Sequence, residues 1–215
     1  MSKLTGLAVK VANDANLAAL GEMWKGSAEG FSNVVMVTLG TGIGSGIIIN
    51  GTILSGAVGA AGEIGHIMVN KDENILCSCG KRGCLEQYAS ATGLVRMAKE
   101  KLVENKTSVL NKMNQLTAKD IFDAAKIGDI LAVELVQQLG KRLGSALASI
   151  ACIVNPDVFV IGGGVSKAGQ IIIDVIETTF YEETFHACKN AKILLAKLGN
   201  DAGIYGGVRL IMDKK

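Results

Sequence analysis

Proline and runs of basic residues are scarce in this sequence. Its 215 residues include a single proline, Pro156, so Pro-rich linkers are absent, as are internal repeats and low-complexity segments. The 22 basic and 20 acidic residues nearly balance, and Lys and Arg form no stripe of the kind that binds a phosphate backbone. We therefore expect no nucleic-acid partner for this segment.

An uninterrupted hydrophobic run is missing as well. The longest stretch without charge, residues 30–62, exceeds the roughly 20 residues that cross a bilayer, but Gly, Thr, Ser and Asn interrupt it in "TLGTGIGSG" and "INGTILSG". Such punctuation is typical of short buried strands joined by turns. The start, "MSKLTGLAVKV", lacks the apolar core and cleavage site of a signal peptide. We expect a cytoplasmic protein without a membrane partner.

Hydrophobic periodicity predicts an α/β fold, in one domain or one domain with a fragment of another. Strands are expected at residues 6–12 and in "NVVMVTLG", "SGIIING", "IGHIMVN", "DVFVIGGGVS" and "KILLAKL". Helices are expected in "DANLAALGEMW", at 85–103, 117–128 and 129–154, and in "AGQIIIDVIETTFYEE" and "AGIYGGVRLIMD". Asp14 is a candidate N-cap for the first helix. Gly140 and Gly144 should allow another element to pack closely on the longest one.

Polar chemistry is concentrated in "GEIGHIMVNKDENILCSCGKRGCLEQYAS", residues 62–90. One of two histidines and three of five cysteines lie there. Ten residues separate His66 from Cys77, one separates Cys77 from Cys79, and four separate Cys79 from Cys84. Thiolate and imidazole donors in a turn-rich segment can close a tetrahedral zinc site, and Gly80 would let the backbone curl between them, as would Gly83.

Free cysteines can instead be small buried hydrophobes. This second interpretation suits Cys152 and Cys188, each of which stands alone in an apolar or helical setting. Five cysteines in a reducing compartment are not expected to form a disulfide framework. His186 has no neighbouring partner in the sequence and is expected at the surface or satisfied elsewhere.

Two glycine-rich segments are candidates for phosphate contact. In "GTGIGSG", residues 40–46, backbone N–H groups could approach phosphate oxygens, with Thr41 and Ser45 as further donors. A tight hairpin turn explains this loop about equally well. It lacks the Lys of a Walker loop, and flanking strands argue against a dinucleotide fingerprint. The second segment, "GGGVS" at 162–166, follows a strand and opens a helix.

Together these segments resemble the ROK family of sugar kinases, open reading frames and repressors. The block "GEIGH…CSCGKRGCLEQYAS" is similar to the family's zinc-containing signature, "VANDANLAALGE" to its catalytic segment, "LGTGIGSG" to its second phosphate loop and "VIGGGVS" to its adenosine-side motif. The continuation "ASATGLVRMAKE" resembles bacterial glucokinases. The resemblance covers nearly the whole chain and implies the large C-terminal lobe of an actin-like, ribonuclease H-like ATPase fold with a structural zinc site.

The resemblance also implies site residues. Asp14 would be the general base for the sugar hydroxyl, although an Asp before a helix is by itself more often a cap. The implied sugar contacts are Asn13, Glu63, His66 and Glu86; without the resemblance, the two glutamates would be taken for solvated surface groups. The implied zinc ligands are His66, Cys77, Cys79 and Cys84, and the implied ATP contacts are Gly40, Thr41, Gly42, Gly44, Gly162, Gly163 and Gly164. Magnesium would accompany ATP.

One part of the family pattern is absent. The family's N-terminal lobe, with its "DxGGT" loop, has no counterpart before Asn13. Residues 1–24 would then be a remnant of that lobe with the catalytic segment, residues 25–198 the large lobe, and residues 199–215 a helix returning toward the small lobe. We expect the apolar face of that helix, with Ile204, Val208 and Ile211, to be uncovered. A cleft with one lobe cannot close, so activity of this chain alone is expected to suffer.

Three functions remain open at this stage. The first is ATP-dependent phosphorylation of a hexose, with glucose the expected substrate and a homodimer the expected assembly. The second is the sugar-sensing effector domain of a ROK-type transcriptional repressor, which would need the sugar contacts but no phosphoryl transfer. The third is a truncated product that only dimerises with intact relatives. Asp14 and "ASATGLVRMAKE" favour the kinase.

Overall fold

The computed structural model describes residues 1–104 and 106–212, which form a mixed α/β fold. The α-helices of this part are α1 Ser2–Thr5, α2 Asp14–Lys25, α3 Glu86–Ala89, α4 Ala91–Leu102, α5 Ala118–Lys126, α6 Ile130–Val154, α7 Gln170–Glu183 and α8 Ala202–Met212. Its strands are β1 Val34–Leu39, β2 Ile43–Ile49, β3 Thr52–Ile53, β4 Val158–Gly162 and β5 Lys192–Leu195. None of the described helices combines the length and apolarity needed to cross a bilayer.

The five strands form one sheet in the order β3-β2-β1-β4-β5. Strands β1 and β2 are an antiparallel hairpin in which Leu39 pairs with Ile43, as the two apolar runs predicted. Strands β4 and β5 extend the sheet in parallel with β1, and Thr38 pairs with Gly162. This pairing places the carboxyl ends of β1 and β4, and hence both glycine-rich segments, at one edge of the molecule.

Helices cover both faces of the sheet. Because successive strand residues point to opposite sides, Val35 and Val37 of β1 enter a large core shared with α3 to α7. Val34 and Met36 enter a smaller core shared with α2 and α8. The glycines of α6 act as expected, because a Cβ at Gly140 would lie 2.5 Å from Val175 Cβ on α7.

Helix α2, which carries the candidate catalytic residue, packs directly on α8. A Cβ at Gly206 would lie 1.8 Å from the carbonyl oxygen of Leu17, and one at Gly21 would lie 2.1 Å from that of Ala202. The two helix backbones therefore touch at glycines. The remaining face of α8 is exposed as predicted, by 67%, 48% and 51% at Ile204, Val208 and Ile211.

A buried carboxylate also fixes α2. Glu22 is fully buried, and its oxygens accept hydrogen bonds from the backbone N–H groups of Ser27, Lys197 and Leu198 and from the Ser27 hydroxyl. Three backbone donors and a hydroxyl satisfy the group without a cation. Glu22 thereby ties the end of α2 to the segment between β5 and α8.

Several sequence predictions need correction. Residues 6–12, predicted as a strand, form no ladder, and the described sheet offers them no partner strand. The segment "IGHIMVN" is not a strand; it begins with a 3-10 helix, Ile64–His66, and Met68 makes only an isolated bridge to Cys84. The helix predicted at 85–103 is two helices, because the Ser90 hydroxyl caps a new start by accepting from Gly93 N–H. Cys152 is exposed, whereas Cys188 is buried as expected.

The helix predicted last in the chain is present as α8. The final residue of that prediction, Asp213, lies outside the described residues, as do Lys214 and Lys215 and, within the predicted large lobe, Asn105. His186 is exposed, as expected.

Candidate functional site

Four side chains separated by up to 18 residues converge on one point. The donor atoms of His66, Cys77, Cys79 and Cys84 all lie within 4.8 Å of one another. His66 Nδ1 is 3.6 Å from Cys77 Sγ, and Cys79 Sγ is 3.6 Å from Cys84 Sγ. Bonds of about 2.3 Å to sulfur and 2.0 Å to nitrogen put tetrahedral zinc ligands roughly 3.5–3.8 Å apart. The donor set therefore suits a tetrahedral zinc ion, and these two distances match its geometry, while any spacing near 4.8 Å would contract on binding.

The backbone around these side chains turns where the glycines permit it. Gly80 and Gly83 adopt φ values of 82° and 72°, a region that residues with a Cβ rarely enter. A hydrogen bond from Gly80 N–H to Cys77 O closes the tight turn between the first two cysteines. At Gly83 a Cβ would lie 1.7 Å from the carbonyl oxygen of Asn70. Both glycines thus have the role predicted for them.

Burial and neighbouring polar groups shift the pKa values of the three cysteines in the cluster. Burial, together with the adjacent Cys77 and Cys79 thiols, raises the pKa of Cys84 to about 12. Burial also raises the pKa of Cys77, whereas the backbone N–H of Lys81 lowers that of Cys79. A divalent cation favours the thiolate form of each ligand, so its binding would release protons.

Glu86, the first residue of α3, stands against this cluster. Its Oε1 accepts hydrogen bonds from Ser78 Oγ at 2.8 Å and from Cys77 Sγ at 2.9 Å, and lies 3.9 Å from His66 Nδ1. Burial opposes ionisation of Glu86, but the Cys77 and Ser78 bonds and the nearby imidazole together lower its pKa. The predicted sugar contacts His66 and Glu86 are therefore neighbours. Ser78 was not among the predicted site residues, although the position of its hydroxyl between Cys77 and Cys79 could have identified it.

The segment before His66 lies along β2. The Ser45 hydroxyl donates to the carbonyl oxygen of Gly62, and a Cβ at Gly65 would lie 2.7 Å from the Ile43 carbonyl oxygen. Glu63 lies between these two contacts and its side chain is exposed. The first contact corrects the suggestion that Ser45 donates to phosphate, because its hydroxyl is buried and already used.

The loop between β1 and β2 forms the turn of the hairpin and reaches Glu86. Gly40 N–H donates to Gly42 O across the turn, and Thr41 at its tip is exposed. A Cβ at Gly42 would lie 2.8 Å from Glu86 Oε2. Ala91 N–H at the start of α4 donates to Gly40 O. The candidate phosphate loop and the candidate sugar carboxylate are thus in contact.

The second glycine segment meets the first. Gly163 has a φ of 83°, and a Cβ there would lie 2.5 Å from the carbonyl oxygen of Leu39, the residue before Gly40. Gly162 is buried at the end of β4, and Gly164 is exposed before a 3-10 helix, Val165–Ala168. The segment therefore opens a 3-10 turn, with α7 beginning only at Gln170.

Asn13 and Asp14 lie at the N-terminus of α2. Asn13 is the N-cap, since its Oδ1 accepts from the N–H groups of Ala15 and Asn16, so the expectation that Asp14 caps the helix is wrong. Asp14 is exposed, and its Oδ1 accepts from Ala15 N–H at 2.8 Å. This end of α2 packs on β2, because a Cβ at Gly44 would lie 3.4 Å from Ala15 Cβ. Asp14 thus starts a helix held against the strand that follows the glycine loop.

A cavity of about 400 Å³ is lined by parts of the candidate phosphate loop and of the candidate sugar site. Its walls include Thr41 and Gly42 of the glycine loop together with Cys77, Ser78 and Glu86. Small-molecule sites commonly occupy about 300–1,000 Å³. A larger cavity of about 630 Å³, between residues 67–69 and α6, contains none of the predicted site residues.

Comparison with known proteins identifies the family. The sequence profile of the ROK family matches residues 1–214. A glucokinase of Halalkalibacterium halodurans is 48% identical over 216 residues, which cover 98% of this chain and 66% of that protein. The ROK family glucokinase from Streptomyces griseus, solved in complex with glucose and AMPPNP, has 39% identity and a TM-score of 0.84 over 97% of this chain and 70% of that one. A xylose repressor of Caldicellulosiruptor bescii is 31% identical over 96% of this chain and 53% of the repressor.

The matched region thus spans about two thirds of the length of the curated glucokinases. Kinase and repressor relatives share it, so the match to this region does not by itself separate the two activities. Because the family profile covers all but the last residue of the sequence, this chain belongs to the ROK family.

Proposed function

We propose that this chain is the larger part of a hexose kinase that transfers the γ-phosphoryl group of ATP to glucose, giving glucose 6-phosphate and ADP. The observation that carries the proposal is the contact between Gly42 and Glu86, which places a candidate phosphate loop beside a candidate sugar carboxylate in one cavity. The 48% identity to a glucokinase supports the same reaction.

In this proposal Asp14 is the general base. Its carboxylate takes the proton of the sugar hydroxyl as that oxygen bonds to the γ-phosphorus and the bond from phosphorus to the β,γ-bridging oxygen breaks. Asn13 already uses its amide oxygen to cap α2, so its amide nitrogen is the group left to donate to the sugar. ADP leaves with the bridging oxygen, and Mg²⁺ would accompany the nucleotide.

Sugar recognition falls to Glu63, His66 and Glu86. Carboxylate oxygens make directional, charge-assisted bonds to hydroxyl groups, so an analogue lacking a hydroxyl would leave a polar group unpaired. His66 presents Nδ1 to the cysteines, which leaves Nε2 for a sugar hydroxyl. When bound by His66, Cys77, Cys79 and Cys84, zinc would anchor the imidazole ring and fix its tautomer.

ATP would lie against the two glycine segments. The proposed contacts are the backbone of Gly40, Gly42 and Gly44 with the exposed Thr41 hydroxyl, and the backbone of Gly162, Gly163 and Gly164. The meeting of Gly163 with Leu39 supports a single nucleotide site across both segments. Phosphate oxygens suit such closely spaced N–H donors.

The proposal also covers organisation. We assign residues 1–24 to the edge of a small lobe, residues 25–198 to the large lobe and residues 199–215 to a helix returning toward the small lobe; the exposed face of α8 supports this division. A homodimer formed through the large lobe and a cytoplasmic location remain predictions.

The second candidate is a sugar-sensing effector domain of a repressor, which the similarity to a xylose repressor favours. Such a domain needs Glu63, His66 and Glu86 but does not need Asp14 as a base. The two candidates therefore differ in turnover and agree in sugar binding.

Calorimetric titration with glucose, followed by a coupled assay of ADP formation, separates them. Both measurements should be made on the zinc-quantified chain and on the product of the full reading frame. Glucose binding with glucose-dependent ADP formation by the full product is the expected result. Binding without ADP formation by either sample would favour the sensor. Failure of both samples to bind any hexose would overturn both candidates.

A further inference from the structure

Glu73 lies in the loop between His66 and the first cysteine, where a charged side chain would ordinarily face solvent. Only 10% of its side chain is exposed. Its Oε2 accepts hydrogen bonds from Tyr88 Oη at 2.6 Å and Arg96 Nη2 at 3.1 Å, and its Oε1 accepts from Ile75 N–H at 3.0 Å. One carboxylate thus connects the loop to α3 and α4.

Arg96 extends this connection toward the proposed sugar site. Its Nη2 also donates to the backbone oxygen of Gln87 at 3.0 Å, so one guanidinium nitrogen bridges Glu73 and α3. The centroid of the Tyr88 ring lies 5.7 Å from the guanidinium carbon of Arg96 and 5.2 Å from that of Arg142. Arg142 in turn donates to the carbonyl oxygen of Val69. Residues 67–79 form no strand and pair with the following segment only through isolated bridges, so these side-chain bonds add to the few backbone bonds that hold the loop.

Gln87 completes the link. Its buried side chain accepts from the backbone N–H of Cys84 at 3.0 Å and donates to the carbonyl oxygen of Ile75 at 2.9 Å. The neighbouring residue is Glu86, whose carboxylate is oriented by Ser78 and Cys77 of the same loop. A shift of the loop away from α3 would separate Glu86 from the Ser78 hydroxyl, the donor that remains when Cys77 is a thiolate.

We propose that Glu73, Arg96, Tyr88 and Gln87 form a positioning network that holds the cysteine loop against α3 and so sets the orientation of Glu86. None of the four touches the reacting atoms, and their effect passes through the loop. The relevance of this network to sugar affinity rests on the function proposed above. The effect of the network on the position of the loop is independent of that function.

Two matched carboxylates on Arg96 provide the test. Glu73→Gln keeps the size of the buried side chain and removes its charge. Glu100→Gln removes the charge of the exposed carboxylate that Arg96 Nη1 contacts at 2.9 Å. Arg96→Lys keeps the positive charge but replaces the planar guanidinium, whose Nη2 bridges Glu73 and Gln87, with a compact ammonium on a flexible stem. Each variant is measured by amide hydrogen exchange and by calorimetric titration with glucose.

For Glu73→Gln we expect faster exchange confined to residues 70–80, unchanged exchange in β1 and β4, and glucose affinity lower by on the order of tenfold, the usual scale for groups that orient a ligating side chain. Arg96→Lys should show the same pattern to a smaller extent, and Glu100→Gln should match the parent chain. Exchange in Glu73→Gln that matches Glu100→Gln, or that accelerates equally throughout the sheet, would overturn the network as a local positioning device.

Hydrogen exchange and glucose titration can change independently, so they test the network and the proposed function separately. If the parent chain binds no glucose but Glu73→Gln loosens residues 70–80 selectively, the network stands and the sugar-binding proposal falls. If glucose binds and neither readout changes in Glu73→Gln, the sugar site stands and the network is wrong.

Discussion

Glu86 Oε1 lies 2.9 Å from Cys77 Sγ, so the carboxylate proposed to bind sugar touches a proposed metal ligand. The contact therefore couples metal binding to sugar binding. Zinc would convert the Cys77 thiol to a thiolate, which removes its proton from the contact with Glu86, and a change in the charge of either group changes the pKa of the other. Metal occupancy and sugar affinity should therefore vary together.

Replacing Cys79 tests that coupling. Cys79→Ser removes one of four ligands from the cluster, so we expect zinc content to fall well below one per chain and glucose affinity to decrease by on the order of tenfold or more. Metal analysis of the purified chain and calorimetric titration with glucose measure the two effects.

Cys152→Ser is the control for that experiment, because Cys152 is an exposed cysteine of α6 outside the cluster. It should retain the zinc content and glucose affinity of the parent chain. Full zinc content together with full glucose affinity in Cys79→Ser would refute the coupling.

The glycines of the hairpin loop give a second prediction. A Cβ at Gly42 would lie 2.8 Å from Glu86 Oε2, whereas one at Gly40 would have no heavy atom within 4 Å. Since the carboxylate is the end of a flexible side chain, it can move aside. Gly42→Ala should therefore fold normally but displace Glu86 and weaken glucose binding several-fold, on the order of one lost charge-assisted hydrogen bond.

Gly40→Ala should leave glucose binding unchanged, and both variants should melt within a few degrees of the parent chain. Calorimetric titration and thermal unfolding of the pair test this. Equal glucose affinities for the two variants would mean that the contact between Gly42 and Glu86 has no bearing on the site.

Local patterns in the sequence predicted most of the fold. The continuous apolar run in "NVVMVTLG" and the nearly wholly apolar residues 129–154 were sufficient, because β1 is buried along almost its whole length and α6 packs its apolar residues into the core. The pattern failed at residues 6–12, where apolar side chains remain exposed and no described strand lies alongside. It failed again at "IGHIMVN", where a 3-10 turn carries His66 to the cysteines.

The candidate site was predictable where its residues stand close in sequence or match a known motif. The cysteine cluster met both conditions, and its donor atoms do converge. Glu73 and Glu22 met neither, because the partners that bury them include residues 15 and 176 positions away, and an isolated glutamate has the pattern of a surface residue. Which carboxylates are buried depends on tertiary contacts, so the pattern alone could not distinguish them from solvated ones.

The proposed base gives a third prediction. Asp14→Asn removes the negative charge but keeps an oxygen that can accept from Ala15 N–H, and the helix is capped by Asn13, so folding and glucose affinity should be preserved. Glucose-dependent ADP formation by the full-length product should fall by roughly 10²–10⁴-fold, the usual contribution of a general base. Equal losses of binding and turnover would show that Asp14 is chiefly structural.

Asp129, the N-cap of α6, should make stability depend on pH. Burial opposes its ionisation, but the N–H groups of Ala132 and Val109 and the Ser108 hydroxyl outweigh it and lower the pKa below the ordinary value of 3.8. A lowered pKa means that the stabilisation is fully present above about pH 4 and is lost as the pH falls through the folded-state pKa.

Asp129→Ala should therefore cost about 1 kcal/mol or more at pH 7, and the difference from the parent chain should shrink below pH 4. Urea unfolding at pH 7 and pH 3, with Asp174→Ala as an exposed control, measures it; a difference that stays constant would mean that the charge of Asp129 does not contribute.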